Sequence, residues 1–156
     1  MKTLISIITV TLNCKSDLIK TINSVQNQTY KNFYHIIKDG NSVDGLELID
    51  FSKFKNTIFY QRKDQGIYDA MNQGLELATG DLFMFLNAGD ILYSNYIFDK
   101  IAILAQKNKS FFCISGKTLQ VTKNYKSPIR LLGKNRINKF FPLAQYPHPS
   151  FILNKK

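Results

Sequence analysis

Residues 82–86 form an uninterrupted apolar run, Leu-Phe-Met-Phe-Leu, which ends at the sequence Asn-Ala-Gly-Asp at positions 87–90. An apolar run of this length between turn residues is typical of a strand buried on both faces of a sheet. Taken alone, the polar residues that follow are explained by an ordinary turn, because Asn, Gly and Asp are common turn formers. A buried strand that ends in a carboxylate also matches the edge at which open α/β sheets bind ligands.

Strand-like and helical segments alternate along the first 90 residues. Runs rich in β-branched and apolar residues predict strands, and apolar residues spaced three and four apart predict helices. This order favours a doubly wound α/β domain with a mostly parallel sheet flanked by helices, rather than a sandwich or a bundle. The predicted strands are 4–11, 33–38, 57–61 and 82–86, and the predicted helices are 16–28, a short one at 46–51, and 67–78.

The sequence after residue 90 is less regular. Its pattern predicts a helix over 94–107, a strand over 111–115 and a polar strand or ribbon over 117–123. Beyond Pro128 basic and apolar residues are mixed, and three further prolines interrupt the pattern. Apolar residues 151–153 resemble the start of another strand, so we expect the chain to stop short of a natural domain boundary.

The length and composition indicate one domain with an ordinary core, spanning residues 1–156. Cys14 and Cys113 are too few for a disulfide framework and lack the spacing of a zinc site, which favours a reducing, cytoplasmic compartment. The apolar residues at 4–12 are diluted by threonines and serine and lack a cleavage site, so they predict a core strand rather than a signal peptide. No stretch reaches the roughly 20 apolar residues of a membrane-spanning helix.

Charge is distributed unevenly along the chain. Residues 1–99 hold 9 Lys and Arg and all 11 Asp and Glu, whereas residues 100–156 hold 12 Lys and Arg and no acid. A basic second part indicates an anionic partner, and three kinds remain open: nucleic acid, an anionic membrane surface or a phosphorylated substrate.

Three carboxylates follow predicted strands or their loops: Asp39, Asp64 and Asp90. Because parallel strands end at the same edge of a sheet, these side chains are expected to lie along one edge. Carboxylate oxygens suit Mg²⁺ or Mn²⁺, so one or more of the three acids is a candidate metal ligand. The alternative for each acid is a structural loop or cap residue.

Five sequence blocks, in this order, resemble the family-2 glycosyltransferases, which are inverting enzymes with the nucleotide-sugar-binding GT-A fold. The similarity is strongest with bacterial members that build capsular and exopolysaccharide repeat units. It is close over residues 4–92 and weaker up to the His-containing turn at 147–150. The blocks are Ser6–Asn13, Ser24–Tyr30, Asp39–Gly45, Asp64–Gly74 and Gly80–Asp90.

The resemblance implies a Rossmann-like half, 1–92, that binds the nucleotide-sugar, followed by an incomplete acceptor-side half, 93–156. It implies that Asp39 accepts hydrogen bonds from the base, usually uracil, and that Asp90 binds Mg²⁺ or Mn²⁺ bridged to the diphosphate. The full set of nucleotide-sugar-binding residues that it implies is Thr11, Asn13, Asp39, Asp64, Asp69 and Asn72.

Two departures from the family pattern limit what the resemblance implies. Asn87 and Gly89 stand where relatives usually carry further acids, which leaves one carboxylate, so metal affinity without the nucleotide is expected to be low. Relatives take the acceptor proton with an Asp or Glu beyond the His-containing turn, but residues 100–156 contain neither. The general base is therefore expected to be missing from this chain, and its catalytic residue is unknown.

The resemblance thus implies transfer of a sugar from a nucleotide-diphosphate donor, a UDP-sugar most of all, to a saccharide or polyprenyl-diphosphate-linked acceptor. Surface polysaccharide synthesis at the inner face of the cytoplasmic membrane is the implied setting, with no nucleic acid involved. The alternative is a non-catalytic basic module that binds nucleic acid or a membrane surface, in which the acids are structural.

Overall fold

The structure is a computed structural model that describes residues 2–107, 113–116, 118–122, 125–129 and 151–154. Its strands are β1 (Ile5–Thr11), β2 (Phe33–Asp39), β3 (Thr57–Gln61), β4 (Leu82–Phe85), β5 (Cys113–Ser115), β6 (Thr118–Thr122), β7 (Tyr125–Ile129) and β8 (Phe151–Asn154). Its helices are α1 (Lys15–Gln26), α2 (Ile67–Glu76) and α3 (Ile97–Lys107), with 3₁₀ turns at Leu46–Leu48 and Phe51–Lys53.

A six-stranded sheet in the order β3-β2-β1-β4-β8-β5 forms the centre of the molecule. Strands β1 to β4 are mutually parallel, which confirms the predicted α/β architecture. Strands β8 and β5 complete the sheet in the antiparallel sense, with β8 paired to β4 on one side and to β5 on the other. The sheet is therefore mostly parallel rather than wholly so, and β6 and β7 pair separately as an antiparallel ribbon.

Helices cover both faces of the sheet, which explains why the central strands are so apolar. All seven residues of β1 are buried, and their side chains alternate between two hydrophobic clusters. On one face Ile5 and Ile7 share a cluster with Val25 of α1 and Phe98 of α3. On the other face Ile8 and Val10 pack with α2. Burial on both faces selects continuous rather than alternating apolar sequence.

Helix α2 approaches β1 closely because a glycine lies at the contact. A Cβ added at Gly74 would meet the Cγ2 of Ile8 at 2.5 Å, and the Cβ of Lys38 lies 3.8 Å from the same point. A larger residue would push the helix away from the sheet, since core side chains have no spare volume there.

Local predictions and structure differ at several points. The predicted helix at 46–51 is two 3₁₀ turns, because Ile49 and Asp50 between them adopt extended backbone angles. Helix α3 begins at Ile97 rather than at 94. The predicted polar ribbon at 117–123 has a second strand, β7, that extends it to Ile129. The strand expected at 151–153 is confirmed as β8. The first residues of the strand expected at 111–115 and the loose basic segment 130–150 lie outside the described residues.

Candidate functional site

The carboxyl ends of β1, β2 and β3 meet at one edge of the sheet and bring several predicted site residues together. Thr11, the last residue of β1, is in register with Asp39, the last residue of β2. The Gly40 N–H donates to the Thr11 carbonyl at 3.0 Å, and the Arg62 N–H donates to the Asp39 carbonyl at 3.0 Å. These bonds continue the sheet beyond its strands and fix the first turn of each following loop.

Asn13 joins the loop after β1 to the loop after β2. Its backbone is left-handed, with φ at 52°, a conformation that Asn tolerates better than most residues. The Asn13 N–H donates to Ser42 Oγ at 2.8 Å, and the Asn13 side-chain oxygen accepts from the Val43 N–H at 2.8 Å. The neighbouring Thr11 hydroxyl is buried and contacts Cys14 Sγ at 3.1 Å. Thr11 and Asn13 thus lie at the same sheet edge as Asp39, and their contact with a nucleotide stays a prediction.

Asp39 is fully buried, and protein donors already occupy its carboxylate. Its Oδ2 accepts from the N–H groups of Asn41 and Ser42 and from Gln61 Nε2, and its Oδ1 accepts from the Ser42 hydroxyl. In this conformation Asp39 braces the loop after β2. A nucleotide base that donates to Asp39 therefore has to displace or share one of these donors, because no part of the carboxylate is exposed.

Asp64 lies in the loop between β3 and α2 and is paired with a lysine from β2. Lys38 Nζ contacts Asp64 Oδ2 at 2.8 Å, with the two side chains 0% and 9% exposed. The other oxygen, Oδ1, accepts from the Gly66 N–H at 3.1 Å. Burial raises the pKa of Asp64, but the Lys38 ammonium and the Gly66 N–H outweigh it and leave the pKa below its ordinary value. Asp64 is thus an ionised, well-held carboxylate at the site edge.

The two predicted residues on α2 differ in their surroundings. The Asp69 carboxylate accepts from the Gln65 N–H at 2.9 Å and from Gln73 Nε2 at 3.1 Å, so it ties the first turn of α2 to the Asp64 loop. This is a structural role that the sequence alone left open. Asn72 is exposed on α2, next to buried Met71 and Gln73, and its place beside the sugar stays a prediction.

Asp90 follows β4, on the other side of β1 from Asp39 and Asp64. The loop that carries it continues the sheet, since the Ala88 N–H donates to the Val10 carbonyl at 3.2 Å. Thr21 of α1 holds the tip: its hydroxyl donates to the Asp90 carbonyl at 2.8 Å and accepts from the Gly89 N–H at 2.9 Å. Burial raises the pKa of the Asp90 carboxyl above its ordinary value.

The geometry limits which residues fit a divalent metal. Within the described residues no three His, Cys, Asp or Glu side chains converge into a metal-binding group. A shared site for all three acids is therefore not formed, because Asp39 and Asp64 are held by protein donors beyond β1. Three residues before Asp90 in the same loop, the side-chain oxygen of Asn87 is buried without a hydrogen-bond partner in the described part of the chain. A carboxylate and an amide oxygen are hard ligands that fit Mg²⁺ or Mn²⁺.

The backbone conformation at position 89 explains why the residue there is a glycine. Its φ is +98°, in the region that side chains rarely adopt, so an acid at this position would be strained. The loop geometry thus accounts for one of the two positions at which the chain departs from the acidic family pattern.

A cleft of about 410 Å³ opens at the start of α1. It is shallow and widely open to solvent, and Asn13 is the predicted site residue on its wall. The remaining lining residues are Cys14, Lys15, Ser16, Ile19 and Asp44.

Sequence reasoning missed the residues that hold the predicted ones in place. Lys38, Ser42, Gln61 and Thr21 contact Asp39, Asp64 or the Asp90 loop, and none of them was a candidate. Lys38 carried a usable signal, because a lysine inside a buried strand is rarely tolerated without a partner. The partners of the other three are set by contacts between distant segments and left no pattern in the sequence.

A mostly parallel α/β sheet with polar and acidic side chains at its carboxyl edge is typical of α/β proteins that bind a ligand at that edge. Solved structures agree on the fold. The crystal structure of S. aureus TarS 1–349 in complex with UDP matches 99% of this chain and 47% of its own, with a TM-score of 0.75 and 19% identity. A mannosyltransferase of Pyrobaculum calidifontis in complex with GDP-Man and Mn²⁺ matches 74% of this chain and 35% of its own, with a TM-score of 0.63 and 16% identity.

The chain belongs to the family described as glycosyl transferase family 2, whose model matches residues 6–156. A PGL/p-HBAD biosynthesis glycosyltransferase of Mycobacterium bovis is 32% identical over 127 residues, which is 78% of this chain and 49% of that protein. An uncharacterized glycosyltransferase of Mycobacterium tuberculosis is 38% identical over 88 residues, or 55% of this chain and 34% of that protein. The chain thus spans half or less of the length of these relatives. Among its described residues no helix is both long and apolar enough to cross a membrane.

Proposed function

We propose that the protein takes part in sugar transfer from a nucleoside-diphosphate donor, a UDP-sugar first of all, to a saccharide or lipid-linked acceptor. The expected pathway is synthesis of a surface polysaccharide or glycolipid, at the inner face of the cytoplasmic membrane. A relative named for PGL/p-HBAD biosynthesis supports the glycolipid setting, and fold neighbours solved with UDP or GDP-Man support the donor class.

One observation carries the proposal more than any other. Thr11, Asn13, Asp39 and Asp64 come from three separate parts of the chain and lie at the carboxyl edge of the parallel sheet, with Asp90 in the loop after the adjacent strand β4. Ligands of open α/β sheets bind at this edge.

The proposed reaction is a single displacement with inversion. The acceptor hydroxyl oxygen bonds to the anomeric carbon, the bond from that carbon to the diphosphate oxygen breaks, and the hydroxyl proton passes to a carboxylate base. No residue of this chain is assigned as that base. In this scheme the loops after β1 and β2 hold the nucleoside, and the Asp64 loop borders it.

Asp90, with the Asn87 side-chain oxygen, is proposed to hold Mg²⁺ or Mn²⁺. When bound, such an ion supplies positive charge that stabilises the departing diphosphate. The orphaned Asn87 oxygen supports this assignment, because buried polar atoms without partners are rare in folded proteins.

Thermal unfolding with and without nucleotide tests the proposal. UDP or GDP with Mn²⁺, at about 100 times Kd, is expected to raise Tm by roughly 5–10 °C, since ligand binding stabilises the folded state by about 2.7 kcal/mol. Asp90→Asn, which removes the charge but keeps the shape, is expected to remove the Mn²⁺-dependent part of the shift. Glu76→Gln, an exposed acid in the last turn of α2, is the matched control and keeps the full shift. No shift with either nucleotide contradicts the proposal.

A second function is favoured by one observation, the absence of any acid among the last 57 positions alongside 12 Lys and Arg. A basic module of this kind binds anionic vesicles or DNA with steep salt dependence. Such binding, unchanged by Asp90→Asn and accompanied by no nucleotide-induced shift, would support the module in place of the transferase.

A further inference from the structure

Lys38 is an anomaly in an otherwise apolar strand. Its side chain is 0% exposed, and it lies on the face of β2 that α2 covers. Transferring an ammonium from water to the protein interior costs free energy. Attraction to an anionic partner offsets that cost only when all the protons of the ammonium are hydrogen-bonded. An apolar residue at this place is the simpler solution for a strand whose only task is to pack.

The Lys38 ammonium has three acceptors, one at the end of β2 and two in the loop between β3 and α2. Nζ donates to the Asp39 carbonyl at 2.9 Å, to the Arg62 carbonyl at 2.6 Å and to Asp64 Oδ2 at 2.8 Å. An ammonium has three protons, so every donor is used. The contacts join the end of β2 to the loop between β3 and α2, over the edge where Thr11 and Asn13 also lie.

The approach of the Asp64 loop also depends on the residue after Asp39. A Cβ at Gly40 would lie 2.8 Å from Asp64 Oδ2, so the absence of a side chain lets the carboxylate reach Lys38. On its far side Asp64 accepts the Gly66 N–H at the start of α2. Lys38 therefore neutralises an acid at the rim of the site and fixes the loop that carries it.

We propose that Lys38 is a positioning residue of the donor site, holding the Asp64 loop against the end of β2 and cancelling the Asp64 charge at the border of the proposed nucleoside site. This inference rests on the function proposed above. Without Lys38 the carboxylate would be left in a buried place without its counter-charge. The loop would then move outward, and its negative charge would repel an anionic ligand.

Nucleotide affinity of the full 156-residue chain, measured by calorimetric titration with UDP or GDP and Mn²⁺ well below Tm, tests the inference. Lys38→Met is expected to weaken binding about tenfold, as is common for groups that orient a binding residue. Lys63→Met removes the same charge from an exposed position in the same loop and is expected to change affinity by about twofold at most. Equal losses in the two variants would mean that only net charge matters and would overturn the inference.

A double variant separates positioning from simple stability and protects the test if Lys38→Met does not fold. Lys38→Met/Asp64→Asn leaves no buried lone charge, and its affinity is expected to equal that of Asp64→Asn within about twofold, because Lys38 acts through Asp64. A double variant whose affinity differs from that of Asp64→Asn by more than about twofold overturns the inference, as does a folded Lys38→Met of unchanged affinity. A wild type that binds neither nucleotide overturns the proposed function and this inference together.

Discussion

His35 lies in the middle of the sheet, in register with Ile7 of β1 and Thr57 of β3, and has no exposed surface. Its Nε2 is 2.8 Å from the Thr9 hydroxyl, and its Nδ1 has no hydrogen-bond partner in the described part of the chain. Burial without a compensating charge lowers the pKa of His35 to about 3. The imidazole is therefore neutral in the folded protein at any pH above that value.

This buried histidine predicts a loss of stability in mild acid. Between pH 6.5 and about 3, His35 is protonated in the unfolded chain and neutral in the folded chain, because its pKa is lower when folded. The free energy of unfolding therefore falls as pH falls. From pH 7.5 to pH 5 the loss is expected to be about 2 kcal/mol. Urea unfolding across this range measures the loss of unfolding free energy. His35→Gln, which cannot titrate, is expected to lose about 2 kcal/mol less than the wild type between pH 7.5 and pH 5. Parallel pH profiles for the two proteins would contradict the prediction.

At the scale of elements, α1 holds the loop that follows β4. Thr21 is fully buried, and its hydroxyl bridges the Asp90 carbonyl and the Gly89 N–H. The helix supplies this contact because α1 packs on β4: Val25 of α1 shares a hydrophobic cluster with Leu82 and Met84 of β4. The position of the Asp90 carboxylate thus depends on a side chain almost 70 residues earlier in the chain.

Thr21→Val keeps the shape but removes both hydrogen bonds, so the Gly89 N–H and the Asp90 carbonyl lose this partner. The free energy of unfolding is expected to fall by about 1–3 kcal/mol, and Mn²⁺-dependent nucleotide binding to weaken with it. Thr21→Ser, which keeps the hydroxyl, is the control and should retain most of both quantities. Chemical denaturation and titration provide the measurements, and a Val variant as stable as the wild type would show that the bridge contributes nothing.

At the scale of the whole molecule, β8 completes the sheet. It lies between β4 and β5, and Ile152 packs into the same cluster as Met84 and Phe98. Without β8, the hydrogen-bonding edge of β4 would be open and β5 would have no neighbour in the sheet. The strand that carries Asp90 at its end is thus supported by one of the last segments of the chain.

Deletion of residues 151–156 is therefore expected to lower the free energy of unfolding by at least about 3 kcal/mol and to promote aggregation through the open edge of β4. Deletion of residues 155–156 alone, which leaves β8 intact, is the control and should match the wild type. Urea unfolding and size-exclusion chromatography distinguish the two. A six-residue deletion that stays monomeric and as stable as the control would contradict the role of β8.

Much of the fold was predictable because the spacing of apolar residues along a segment indicates which of its faces are buried. The continuous apolar runs of β1 and β4 and the helical spacing in α1 and α2 predicted elements that the structure confirms within a few residues. The prediction of a helix at 46–51 was wrong, because apolar spacing over so short a stretch does not distinguish a helix from successive turns. The antiparallel insertion of β8 was not predictable, since periodicity does not specify which strand pairs with which.

By itself, the sequence determined the α/β class, the family resemblance and the set of polar residues expected at one edge of the sheet, because these depend on local pattern and on the order of elements. Only the tertiary structure decided how those residues are held. It showed that donors from its own loop and from Gln61 of β3 occupy the Asp39 carboxylate, that Lys38 neutralises Asp64, and that β1 separates both acids from Asp90. Hydrogen bonds and charge pairs between distant segments depend on three-dimensional proximity, which the spacing of residues along a chain does not encode.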